Sequence, residues 1–106
     1  MSTAEKTNAK RKGPILGGPR VGPWKIGTAY LIRTVTMFVL GRVTEIYEQE
    51  LVLEDASWVA DTGRFHNALV TGKLNEVEPF PEAVIVGRGG IIDAVPWTHS
   101  LPREPK

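Results

Sequence analysis

The chain contains no cysteine, only two histidines and only eight residues of Phe, Trp or Tyr among 106. The first absence removes disulfides and, with so few histidines, leaves no Cys/His set for structural zinc. No apolar run approaches ~18 residues and the N-terminus lacks an apolar signal region, so neither a membrane span nor a secretory leader is expected. No calcium-loop spacing of carboxylates, dinucleotide fingerprint or phosphate loop occurs, and the sequence assembles no catalytic group. No cofactor or metal is therefore expected. A core built from about 80 residues rarely supplies more than ~3–5 kcal/mol without such staples, which leaves docking or oligomerisation as the route to robustness.

What the chain does have is a division of charge and composition. Residues 1–25 hold six Lys/Arg (Lys6, Lys10, Arg11, Lys12, Arg20, Lys25) against one acid, Glu5, whereas the remaining 81 hold seven against eleven. Gly13, Gly17, Gly18 and Gly22 alternate with Pro14, Pro19 and Pro23 in the basic part. So few apolar groups cannot offset the entropy of ordering the segment, and an arm held by a partner is the expectation. Fully extended at about 3.3 Å per residue, it reaches on the order of 80 Å. The sequence thus divides into a basic arm (1–25), a small domain (26–97) and an extended tail (98–106).

Within the domain, residues 30–40 (YLIRTVTMFVL) are dense in β-branched and aromatic groups and read as one long strand buried on both faces. Gly41 interrupts as a bulge or bend, and residues 42–47 resume with alternation. Glu48 and Gln49 make a polar turn. Residues 50–59 form a third strand, with Val52, Glu54, Ala56 and Trp58 on one face and Leu51, Leu53, Asp55 and Ser57 on the other. Asp61 or Thr62 is positioned to cap a short helix over 64–70 that Gly72 ends. Residues 75–82 read as a proline-punctuated acidic loop and 83–87 as a short buried strand. Arg88-Gly89-Gly90 reads as a tight turn, and 91–97 as a last strand whose Pro96 belongs at a sheet edge. Five short strands, one helix and no βαβ alternation predict a mainly β protein, a small, curled antiparallel barrel.

Candidate sites are few. Arg88 in its glycine turn reads either as a hairpin residue or as an anion contact. Asp61, Arg64 and His66 read as a solvated helix start, and His99-Ser100 is no triad. Glu45, Glu48, Glu50, Glu54 and Asp55 form an acidic face, solvated or set against a basic partner. Trp24, Trp58 and Trp97 read as core or interface anchors, with base stacking the lesser reading, and Trp24 at the arm junction either clamps the arm to the barrel or plugs into a neighbouring subunit. If the arm binds protein, Ile15, Leu16, Val21 and Trp24 are its pocket-filling groups. If it binds nucleic acid, Lys10, Arg11 and Lys12 lie on phosphates.

Two resemblances follow from these residues. The long strand, the bend at Gly41, the turn carrying Tyr47 and the final Arg88-Gly89 turn ahead of Ile91-Ile92 resemble Sm-like or SH3-like barrels. That resemblance implies Tyr47 and Arg88 as RNA-contacting positions, although Glu48 and Glu50 flank the loop and no asparagine accompanies Tyr47. The phrases IRTVTMF (32–38), LVLEDASWVADTGRF (51–65) and LNEVEPFP (74–81) resemble a family of small proteins encoded by tailed bacteriophages. This second resemblance covers about two-thirds of the chain. It implies a viral context without an assigned activity, and a small barrel with an extended basic arm fits use as a structural virion component, assembled in the bacterial cytoplasm, whose partners are a larger phage structural protein or further copies of itself. A nucleic-acid-binding module is the alternative, and no membrane partner is implied.

Overall fold

The computed structural model describes residues 13–15, 17–18 and 21–106. Six strands, β1 (Ala29–Thr34), β2 (Phe38–Ile46), β3 (Glu50–Asp61), β4 (Glu76–Pro79), β5 (Val84–Gly87) and β6 (Ile91–Pro96), form one antiparallel sheet. Among the described residues one helix, α1 (Phe65–Thr71), follows β3. The described residues are mainly β with one short helix, as the sequence predicts.

The run over 30–40 is two strands rather than one. Thr34 accepts from the Met37 amide through Oγ1 (3.1 Å), while its own amide donates to the Met37 carbonyl (2.8 Å). Those bonds close a hairpin that pairs Arg33 with Phe38. The turn contains no Gly, Pro or Asn, and a threonine side chain does the work of a turn former. The acidic segment after α1 also contains a strand, since β4 pairs with β3 from Ser57↔Pro79 to Asp61↔Glu76.

The β2–β3 register shifts twice, between Leu40 and Arg42 and between Val43 and Glu45. At the first shift Asp55 adopts φ 50°, the one described non-glycine residue at positive φ. This extra residue changes the phase of β3. Leu51, Leu53 and Ala56 enter one core, while Val59 enters another on the opposite face. The two-face assignment read from strict alternation therefore fails at Asp55. Gly41 sits inside β2 with its backbone outside the positive-φ region. It is required by space, since a Cβ there would lie 2.8 Å from the Ala56 Cβ.

Alternation in β1 serves both faces: Tyr30 and Ile32 join the first core and Leu31 the second. The second core is roofed by Ala68 of α1, Leu74, Val77 and Trp97. Arg64 occupies the N-cap of α1 without a side-chain bond, and Asp61 instead accepts from the Gly63 amide (2.8 Å). Gly72 ends the helix at φ 78°, as the sequence predicts, with its amide donating to the Ala68 carbonyl.

The sheet does not close into a barrel. Hydrogen-bonded neighbours run β4-β3-β2-β1-β6, with β5 also on β3. β5 and β6 are joined by a 3-10 turn, Arg88–Gly90, which carries the chain across to β1 instead of folding it back as a hairpin. Neither Gly89 nor Gly90 has positive φ, so the turn is not the glycine-dependent hairpin expected. The tail does not stand free: Val77 and Lys106 exchange backbone hydrogen bonds of 3.1 and 2.9 Å along β4.

Candidate functional site

The arm meets the domain at the end of β2. The Ile15 amide donates to the Ile46 carbonyl, and the Ile15 side chain packs on the first core. Val21 is buried within that core. Trp24 meets Tyr30 edge-on, with centroids 4.9 Å apart, and the Lys25 amide donates to the Tyr30 hydroxyl (2.9 Å). Trp24 thus clamps the chain at the junction. Leu16, Lys10, Arg11 and Lys12 lie outside the described residues.

Ile15 and Val21 therefore face the chain's own core, and the boundary at residue 25 is not a mechanical one. Fully burying one valine contributes about 1.5–3 kcal/mol, partly offset by the entropy of ordering the chain around it. Deletion of residues 1–23 is accordingly expected to lower unfolding stability by about 2 kcal/mol, read from denaturant melts. Val21→Ala should reproduce most of that loss. An unchanged midpoint for both would mean that Val21 does not belong to the core.

Tyr47 and Arg88, forty-one residues apart, are brought together: a guanidinium nitrogen of Arg88 donates to the Tyr47 carbonyl (2.7 Å). The Arg88 amide donates to the Gln49 carbonyl (2.8 Å). The Tyr47 hydroxyl donates to the Glu45 carboxylate (2.6 Å). That hydrogen bond, then burial, then the charges of Glu45 and Glu50, raise the phenol above its ordinary pKa. A phosphate approaching this tyrosine would meet two carboxylates.

The rest of the acidic face is partly paired. Arg42 bridges Asp55 (2.5 Å) and, more loosely, Glu54 (3.7 Å). Its hydrogen bond and charge hold the Asp55 carboxyl below the usual carboxylate range. Arg33 pairs with Asp93 across β1 and β6. Asp61, Arg64 and His66 sit at an exposed helix start, while His99 Nε2 lies 2.8 Å from the Leu69 carbonyl at the far end of the helix. No group of three or more His, Asp or Glu is placed to hold a metal among the described residues.

Two apolar grooves lie on the outer strands. A groove of about 740 Å³ runs between Trp24 and β6, lined by Pro23, Tyr30, Ile92, Ala94 and Pro96. A second, of about 500 Å³, lies between β5 and the β1–β2 turn, lined by Met37, Val39, Phe80 and Val84. Ile85 is 70% exposed and Ile92 58%. The expectation of a buried strand over 83–87 holds only for Val86, because β5 is an outer strand whose alternate residues face solvent. The hydrophobicity of Val84-Ile85-Val86 was visible in the sequence, but its outward half was not. Trp97 is buried as an anchor, whereas Trp58 is left half-exposed.

Comparison with family models, with curated proteins and with solved structures finds no match.

Proposed function

We propose that the protein is a structural accessory component of a tailed-phage virion, a capsid-decorating, connector or tail-adaptor piece that docks on a larger subunit. One observation carries this reading: an apolar groove of about 740 Å³ contains the arm junction at Trp24 and is continued by the exposed Ile92 on an outer strand. Buried aromatic anchors in such grooves concentrate docking energy. The phage context rests on the resemblance of residues 32–38, 51–65 and 74–81. Nucleic-acid binding is the less favoured reading, because Tyr47 and Arg88 engage the protein itself beside Glu45 and Glu50. No catalytic role is proposed.

Two variants separate the readings. One changes Trp24 to Ala and Ile92 to Lys, and the other changes Lys6, Lys10, Arg11, Lys12 and Arg20 to Gln. Docking predicts that particle incorporation is lost in the first and kept in the second. The converse, together with a nucleic-acid affinity falling with a log–log salt slope of about −4 to −5 in the unaltered protein, would replace docking by phosphate binding.

A further inference from the structure

Three strands bound the sheet, and their edges differ. The outer edge of β4 is taken by Lys106, which bonds to Val77 in both directions. On β6, the Trp97 amide donates to the Ala29 carbonyl, so alternation in an antiparallel ladder turns the backbone groups of Ala94 and Pro96 outward. Proline has no amide to offer, which blunts that edge.

On β5 the situation is reversed. The Arg88 amide donates to the Gln49 carbonyl, and the ladder continues through Leu51↔Val86 and Leu53↔Val84. Alternation then turns both backbone groups of Ile85 and the amide of Gly87 away from β3, while the Gly87 carbonyl is the first acceptor of the 3-10 turn. Among the described residues no strand pairs with β5 on that side. The strand contains no proline, and its outward Ile85 is exposed.

The two faces beside this edge differ in chemistry. On one lies the apolar groove of Met37, Val39 and Phe80. On the other, Ile85 continues into a depression shared with Val52, Glu45 and Glu50. Glu50 is the cross-strand partner of Gly87, which places no side chain between that carboxylate and a newcomer. Side chains of an added strand point alternately to the two faces. We propose that the outer edge of β5 is a strand-addition site for an extended partner segment that alternates apolar and basic residues. Its apolar residues enter the Met37–Phe80 groove, and its basic residues reach Glu50 and Glu45. Pairing of β5 with the β5 of a second copy would bring only Val, Ile and Gly to this edge and leave Glu50 and Glu45 without a counter-charge.

The inference deepens the docking reading, and its test uses defined peptides without particles, so that either can fail alone. Gly87 has φ −71° and ψ 125°, and no atom lies within 4 Å of its Cβ position. Gly87→Pro therefore suits the backbone and removes only an outward amide. The full chain is titrated with a short capped peptide alternating Val and Lys, and with its Val/Glu counterpart, by fluorescence anisotropy. Amide exchange at Ile85 and Gly87 is followed in parallel. The Val/Lys peptide is expected to bind, to slow exchange at both amides, and to bind about tenfold more weakly to Gly87→Pro and to Glu50→Gln. The Val/Glu peptide should bind at least as weakly to the unaltered chain. Absence of binding, equal affinity for the two peptides, or unchanged exchange at Ile85 and Gly87 would overturn the proposal, whether or not the proline variant folds.

Discussion

Gly41→Val is expected to leave the protein largely unfolded at room temperature. Its Cβ would lie 2.8 Å from the Ala56 Cβ, 3.1 Å from the Ala56 Cα and 3.1 Å from the Leu53 Cβ. One of these is backbone of the paired strand, so no rotamer change relieves the contact. Overpacking costs about 1–3 kcal/mol where neighbours can shift and more where they cannot. Set against a margin of about 3–5 kcal/mol for a core of this size, that loss is decisive. Gly41→Ala should be intermediate, because the same first atom clashes without the two methyls behind it. Circular dichroism melts check both. A valine variant melting with the unaltered protein would refute the close approach of β2 and β3.

Trp97→Ala should cost about 3–5 kcal/mol, the usual range for a buried Trp. Trp97 is 5% exposed, its indole N–H donates to the Ser100 carbonyl (3.3 Å) and its ring meets His99 edge-on at 5.1 Å. Beyond it, Leu101 packs on the second core and Lys106 bonds to Val77. Loss of the ring should therefore free the whole tail, exposing the outer edge of β4. The expected signature is faster exchange at the Val77 amide together with a lower melting midpoint. A stability loss below about 1 kcal/mol, outside the range for a buried aromatic, would mean that the tail does not seal the second core.

Much of the strand content was legible because Val, Ile, Leu and aromatic groups cluster between punctuating residues. The end of α1 was readable from Gly72 alone, and the edge position of β6 from Pro96. The β1–β2 hairpin was not, because Thr34 closes it through its side chain in a run with every local mark of a strand. The phase change at Asp55 was hidden as well: a residue at φ 50° resets alternation without altering composition. The barrel reading failed at closure for a related reason. The Arg88–Gly90 segment looks like a hairpin turn in sequence but forms a 3-10 turn that separates β5 from β6.

For the candidate site, the sequence left Trp24 either as a clamp on the domain or as a plug for a neighbouring subunit, and its edge-on contact with Tyr30 fits the clamp. It misjudged Val21, since apolar scarcity in the arm gave no hint that one valine enters the core of the domain. The pairing of Arg88 with the Tyr47 carbonyl depends on contact across forty-one positions, which local pattern cannot supply. The outward character of Ile85 and Ile92 is likewise a property of sheet order, because only the ladder reveals which strands lie outermost.

The central claim, a docking component of a virion, is tested most directly by quantitative mass spectrometry of gradient-purified phage particles. The account predicts that the chain is present in intact particles at a fixed copy number relative to a major structural protein, and that salt washing leaves it in place. Its absence from particles while it is abundant in the infected-cell lysate would contradict the account.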